Sequence, residues 1–113
     1  MPYLSVRTNC AVANPDLFLQ QASSLCAQML GKPESYVMVA LDSKTPMLFG
    51  GSNEPAAYLE LKSLDLPEAD AKNYSRQLCN FIEAHTAITP QRIYIEFTCG
   101  SRELWGYNCG TFG

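Results

Sequence analysis

Two stretches of the chain repeat apolar residues at helical spacing. In the first, five apolar residues recur at steps of one, three or four and fall on one helix face: Phe18, Ala22, Leu25, Cys26 and Met29. Asn14 and Pro15 provide an N-cap and a favourable first helical residue, and Gly31 can adopt the left-handed conformation that ends a helix. A helix opening at Asn14-Pro15-Asp16 and closing at Leu30-Gly31 is predicted.

The second stretch has the same spacing. Its apolar face consists of Tyr74, Leu78, Phe81, Ile82 and His85. This helix is predicted to start near Pro67-Glu68 and to end near His85.

Strand patterns flank both helices. Residues 3–8, 57–62 and 93–97 alternate between apolar and polar or aromatic positions, and residues 36–41 form a continuous apolar run. The predicted order is strand–helix–strand, repeated once.

The two helical faces are offset by 56 residues, from Phe18 to Tyr74, which indicates an internal duplication. Two right-handed βαβ units side by side form a four-stranded mixed sheet with both helices on one face. The fold class is therefore α/β, a single domain over 1–113 with halves at about 2–48 and 55–100. Residues 49–55 are turn-rich and join the halves.

The face of this sheet that lies away from the helices is polar but contains three tyrosines. It comprises Tyr3, Ser5, Arg7, Tyr58, Glu60, Lys62, Tyr94, Glu96 and Thr98. Two interpretations remain open: a solvated face, because exposed tyrosine is common, or a face covered by another subunit.

Composition narrows the classes of function. Apolar residues make up 47% of the chain and charged residues 17%, as in globular proteins. The net charge is −3 and no basic stripe is present, so a nucleic-acid partner is not expected. No apolar run approaches the ~18 residues of a membrane span, and the N-terminus lacks signal-peptide features, so a cytoplasmic location is expected.

The five cysteines favour neither a disulfide framework nor a metal site. Their number is odd, no pair has Cys-x-x-Cys spacing, and His85 is the only histidine. We expect no metal and no cofactor.

Short motifs along the whole chain match one known family. They are Met1-Pro2, Thr8-Asn9, Leu30-Gly31-Lys32-Pro33 with Tyr36, Phe49-Gly50-Gly51-Ser52-Asn53-Glu54-Pro55, Asn73-Tyr74-Ser75, Pro90-Gln91-Arg92-Ile93-Tyr94-Ile95 and Thr111-Phe112-Gly113. In this order and at these spacings, the chain resembles the macrophage migration inhibitory factor and dopachrome tautomerase family of the tautomerase superfamily. The resemblance implies a homotrimer with active sites between adjacent subunits.

The activity implied by the resemblance is keto–enol tautomerisation of aryl 2-keto acids such as phenylpyruvate, with Pro2 as the base after Met1 is removed. A free α-amino group has a pKa near ~7.7–8.0. Burial and a neighbouring lysine would push it towards its neutral, basic form. The alternative is that Pro2 only begins the chain and protects a sheet edge.

Other site residues are implied by the resemblance. Lys32 would hold the substrate carboxylate, with the backbone N–H of Leu64 as a second contact. Tyr94 and Glu96 would come from the neighbouring subunit, and the aromatic walls would be Tyr3, Tyr36, Trp105, Tyr107 and Phe112. The alternatives are a lysine that stabilises a helix C-terminus, ordinary strand termination at Leu64, and core packing of the aromatic residues.

Some family members also act as signalling proteins. The Cys-x-x-Cys pair proposed for their thiol activity is replaced here by Ala56 and Leu59, and the chemokine-like Arg and Asp fall near Ala11 and on Lys44. Receptor binding is therefore not supported by these motifs. A cytokine-like protein with vestigial catalysis and a non-catalytic trimeric binding module remain alternatives to an enzyme.

Glu96 is a departure from the family pattern that can be tested. It stands where the best-known members have Asn, at the far end of the aromatic substrate, where a carboxylate can accept a hydrogen bond from a phenol or repel an anion. We expect Glu96→Asn to change the ratio of hydroxyphenylpyruvate to phenylpyruvate rates without abolishing activity. An unchanged ratio would contradict this role for Glu96.

Overall fold

The computed structural model describes all 113 residues, Met1–Gly113. Its main elements are β1 (Tyr3–Thr8), α1 (Pro15–Leu30), β2 (Met38–Asp42), β3 (Ala57–Leu64), α2 (Ala71–His85) and β4 (Ile93–Gly100). A short hairpin of β5 (Gly106–Tyr107) and β6 (Gly110–Thr111) ends the chain. No helix is both long and apolar enough to cross a membrane.

The four long strands form one mixed sheet in the order β2-β1-β3-β4. β1 and β3 lie antiparallel at the centre, and each is paired in parallel with the second strand of its own half. The predicted arrangement of two βαβ units in one four-stranded sheet is therefore confirmed.

The core lies between the sheet and the two helices. The predicted helical faces supply its helical side, with Phe18, Ala22 and Cys26 buried on α1 and Tyr74, Leu78 and Ile82 buried on α2. The sheet contributes alternate strand residues, including Leu4, Val6, Leu59 and Leu61, each at most 1% exposed. Both helices thus cover the same face, and the tyrosine-bearing face stays open.

The predicted caps of α1 are present. The side chain of Asn14 accepts a hydrogen bond from the backbone N–H of Leu17 at 3.2 Å. Gly31 adopts a left-handed conformation with φ of 64°, and the N–H of Lys32 turns back to the carbonyl of Ala27 at 3.0 Å. This cap fixes the direction in which the chain leaves the helix at Lys32.

The bounds of four elements differ from the sequence prediction. Tyr36 is not in β2, because Pro33 starts a 3-10 turn whose hydrogen bonds use the N–H groups of Tyr36 and Val37; the sheet ladder starts at Met38. Helix α2 starts at Ala71, after a 3-10 turn over Glu68–Asp70. Strands β3 and β4 are longer than predicted, since their pairing continues to Leu64 and Gly100 without an apolar alternation to mark it.

Arg92 holds the turn-rich joint between the two halves. Its guanidinium donates to four backbone carbonyls at 3.0–3.1 Å, those of Phe49, Ser52, Glu54 and Pro55. The same cation lies 5.1 Å from the centre of the Phe49 ring, which packs at 4.7 Å against the ring of Tyr94. The joint is therefore fixed next to the open face of the sheet.

Candidate active site

Pro2 lies at the start of a central strand. Its side chain is less than 2% exposed, and its carbonyl accepts a hydrogen bond from the N–H of Met38 at 3.0 Å. Because β1 is paired on both sides, by β2 and by β3, the N-terminal residues enter the middle of the sheet and not its edge. Met1 is half-buried above Pro2.

Lys32 extends from the cap of α1 to the end of β3. Its Nζ donates to the Oγ of Ser63 at 2.7 Å and to the carbonyl oxygen of Leu64. Two of the three ammonium donors are thus used within the chain, and one remains for a ligand. The contact at Leu64 is to its carbonyl; the predicted role of its N–H as a carboxylate donor stays a prediction.

The C-terminal tail supplies an aromatic wall. The ring of Tyr107 stacks on Phe112 at 5.6 Å and meets Tyr36 edge-on at 5.9 Å. The N–H of Phe112 donates to the carbonyls of Arg102 and Trp105, at 3.1 and 3.2 Å, which folds the tail back on itself. Because Tyr36 lies in a 3-10 turn and not in β2, its ring can pack against Tyr107 of the tail.

Two cavities meet at the N-terminus. The first, of about 250 Å³, is lined by Met1, Pro2, Tyr3, Ser35, Tyr36, Val37, Met38, Trp105, Gly106 and Tyr107. The second, of about 310 Å³, is lined by Met1, Lys32, Pro33, Tyr36, Leu64, Asp65, Arg102 and Phe112. The structure therefore brings together all the predicted site residues except Tyr94 and Glu96. Met1 and Tyr36 are the residues common to both cavities.

The electrostatics of this site favour an uncharged amine. Burial and the nearby charge of Lys32 lower the pKa of the Met1 amine; Asp65 opposes this effect and Arg102 adds to it. Burial also lowers the pKa of Lys32, against an opposing effect of Asp65. An amine at this position is thus surrounded by more positive than negative charge and is partly removed from water.

Tyr94 and Glu96 lie elsewhere in the same chain. Strand pairing places Tyr94 of β4 beside Tyr58 of β3, which lies beside Arg7 of β1. At the Pro2 end of the sheet, Tyr3 of β1 lies beside Lys62 of β3, which lies beside Thr98 of β4. Tyr94 is therefore four residues along the sheet from the Pro2 end, ~13 Å at the usual strand rise. It lines a separate cavity of about 570 Å³ with Phe49 and Tyr58.

Glu96 already has a partner within the chain. Its carboxylate accepts a hydrogen bond from the hydroxyl of Tyr58 at 2.6 Å. This bond, with the surrounding negative charge, raises the pKa of Tyr58 to about 12. Glu96 is accordingly held in one orientation on the open face.

The sequence reasoning missed Asp65 and Arg102. Asp65 follows β3 in a left-handed conformation with φ of 54°, and Arg102 begins the tail. They form an ion pair at 2.6 Å and both line the cavity that contains Lys32. No spacing or periodicity links two residues 37 apart, so only the folding of the tail onto the end of β3 could reveal them.

Comparisons with known proteins agree with this arrangement. Residues 1–113 match the family described as macrophage migration inhibitory factor (MIF). A macrophage migration inhibitory factor homolog of Brugia malayi is 35% identical, with 100% of both chains covered, and the mouse macrophage migration inhibitory factor is 34% identical, with 99% of both covered. Among solved structures, a homologue from Prochlorococcus marinus has a TM-score of 0.94 at 40% identity, covering 98% of this chain and 99% of that one.

The fold and these matches define a member of the tautomerase superfamily. The chain belongs to the macrophage migration inhibitory factor family.

Gly100 offers a test of how the tail is placed. A Cβ at Gly100 would lie 2.5 Å from the ring of Trp105, whereas one at Gly110 would come no closer than 3.9 Å to any neighbour. We expect Gly100→Ala to displace the ring and redshift the emission of Trp105, the only tryptophan, while Gly110→Ala leaves the spectrum unchanged. Identical spectra for both variants and the unmodified protein would contradict this packing.

Proposed function

We propose that this protein is a keto–enol tautomerase of aryl 2-keto acids such as phenylpyruvate, with the amine of Pro2 as general base once Met1 is removed. The observation that carries the proposal is the position of Met1 above a buried Pro2, at the meeting point of two cavities. Loss of Met1 would join the aromatic cavity to the cationic one and expose the Pro2 nitrogen between them.

The proposed chemistry is proton transfer between carbon and oxygen. The neutral Pro2 nitrogen removes a proton from the carbon next to the ketone, and the C–H electrons form the C=C bond while the C=O π electrons move onto oxygen. The protonated Pro2 nitrogen then gives this proton to the enol oxygen, so the amine is neutral again and no proton is gained or lost overall. Such a base works best when its pKa lies near the working pH. Burial and the charges of Lys32 and Arg102, which lower the pKa of the Met1 amine, support the same effect on an amine one residue further in.

The two cavities suit the two ends of such a substrate. Lys32 has one ammonium donor not used within the chain, which is suited to a carboxylate. Tyr36, Trp105 and Tyr107 offer aromatic surface next to Pro2 for the aryl group and limit the access of water. A 2-keto acid spanning both cavities places the carbon to be deprotonated near Pro2.

The proposal includes assembly as a homotrimer in which Tyr94 and Glu96 of one subunit complete the site of the next. Three observations support it: the open sheet face, the 64% exposure of Tyr94 and the 65% exposure of Met38 on an edge strand. Because Glu96 lies away from Pro2 in the single chain, a change in substrate preference in Glu96→Asn would itself support sharing of the site between subunits.

The decisive test uses phenylpyruvate and protein whose N-terminus is confirmed by mass. In a form that retains Met1 the Pro2 nitrogen is an amide, so we expect the tautomerisation rate to fall at least ~100-fold, the usual contribution of a general base. Pro2→Ala should also lower kcat, because a flexible primary amine replaces a secondary amine on a rigid ring. The ultraviolet absorbance of the enol measures both rates.

Pro90→Ala is the matched control, since Pro90 is exposed at a 3-10 turn outside both cavities. It should retain the full rate. If protein with a confirmed free Pro2 has no activity, the proposal is wrong and a binding or signalling role becomes the better interpretation. Equal activity of the Met1-retaining form would exclude Pro2 as the base.

A further inference from the structure

The cavity that contains Lys32 has a second cation. Arg102 contacts a single oxygen of Asp65, from Nη2 to Oδ2 at 2.6 Å. A guanidinium carries five N–H donors, so this one contact leaves most of them unused. The side chains are 56% and 65% exposed, and an ion pair as exposed as this is weak and readily opened.

Main-chain hydrogen bonds fix the position of Arg102 without using its side chain. Its carbonyl accepts from the N–H of Phe112 at 3.1 Å and from the N–H of Trp105 at 3.4 Å. The partner in the ion pair, Asp65, directly follows Leu64, whose carbonyl oxygen accepts a hydrogen bond from the ammonium group of Lys32. The guanidinium is therefore held at the cavity wall by the backbone of the tail.

Arg102 and Lys32 face the same space. Both line the cavity with Met1, and both lower the pKa of the Met1 amine, while Asp65 raises it. The three charges are thus close enough to act on the same atom at the N-terminus. A carboxylate bound between the two cations would lie beside that amine. The carboxylate of Asp65 now offsets part of the positive charge there.

We propose that Arg102 is a specificity-determining residue that binds the substrate carboxylate together with Lys32, and that Asp65 is an internal competitor for the same guanidinium. The identity of the substrate as a 2-keto acid rests on the function proposed above. An arginine fork can hold a carboxylate through two parallel hydrogen bonds, which a lysine cannot do. A substrate that displaces Asp65 therefore exchanges a one-point contact for a two-point contact.

This proposal requires opposite effects from the two partners of one ion pair. Removing Arg102 removes a carboxylate ligand, whereas removing the charge of Asp65 frees the guanidinium. A pair that only ties the tail to the end of β3 would behave differently, because loss of either partner would loosen the cavity and weaken binding. Asn is a suitable replacement for Asp65, since it tolerates the left-handed backbone found there.

The experiment measures binding of phenylacetate, a carboxylate that cannot tautomerise, by NMR titration of protein with a confirmed Pro2 N-terminus. We expect Arg102→Gln to weaken binding about tenfold, as for loss of a charged hydrogen-bonding partner, and Arg102→Lys to restore part of the loss. Asp65→Asn should tighten binding by roughly threefold, a modest gain that matches the release of an exposed ion pair. In the double variant with Arg102→Gln, the effect of Asp65→Asn should largely disappear.

Arg76→Gln is the matched control. It removes the same charge from an exposed position on α2, where the guanidinium of Arg76 donates a hydrogen bond to the side chain of Asn73, and it should leave the affinity unchanged. Equal weakening by Arg102→Gln and Asp65→Asn would overturn the proposal in favour of a structural tie. Unchanged affinity in Arg102→Gln would overturn it as well.

Kinetics separate this proposal from the proposed function. Phenylpyruvate and its methyl ester share the reacting carbon, but only the acid carries the carboxylate. We expect Arg102→Gln to lower kcat/KM for the acid, mainly through KM, and to leave the ester almost unaffected. If the unmodified protein turns over neither compound, the tautomerase proposal fails while the phenylacetate titration still decides the role of Arg102. If both are turned over and the acid-to-ester ratio is the same in Arg102→Gln, only the Arg102 proposal fails.

Discussion

The pairing of β1 on both sides is the constraint on which the rest of the site depends. Because β1 lies between β2 and β3, and the N–H of Met38 binds the carbonyl of Pro2, the first residues are held in the middle of the sheet. An N-terminus is normally mobile and solvated, and its amine is then mostly charged near neutral pH. Here the sheet fixes its position, and the helix cap at Gly31 and the tail beyond Gly100 bring their functional groups to it.

Burial and two of the three charges around the N-terminus lower the pKa of its amine. Desolvation disfavours a protonated amine, and Lys32 and Arg102 disfavour it further, with Asp65 as the single opposing charge. The cations that are suited to hold a carboxylate are thus the same groups that lower the pKa of a neighbouring amine. Binding of an anionic substrate would partly cancel their charge, so the amine would become more basic as the substrate arrives.

Local rules predicted most of the fold. Helical periodicity identified the buried faces through Phe18 and Tyr74, and cap chemistry located both ends of α1. The repeated order of elements predicted a four-stranded mixed sheet with both helices on one face, since βαβ connections have one hand, and the structure adds the strand order. Periodicity failed where hydrogen bonding took precedence: Tyr36 looks like a strand residue, but its N–H is used in a turn after Pro33.

Residues of the candidate site could be predicted only where they belong to a recognisable sequence motif. Pro2 and Lys32 belong to short segments shared with a known family. The structure places them in two cavities that have Met1 and Tyr36 in common. Asp65 and Arg102 meet only because the tail folds onto the end of β3, and no sequence spacing indicates this. Tyr94 and Glu96 lie on β4, which is separated from β1 by β3, and they are aligned with Arg7 and Ser5 of β1. The central claim is that this site lowers the pKa of the N-terminal amine. It is tested most directly by ¹⁵N NMR titration of the Pro2 nitrogen in protein that lacks Met1. We expect a pKa below the ~7.7–8.0 of an ordinary α-amino group, so that a larger fraction of the amine is free base at neutral pH. A pKa at or above that range would contradict it.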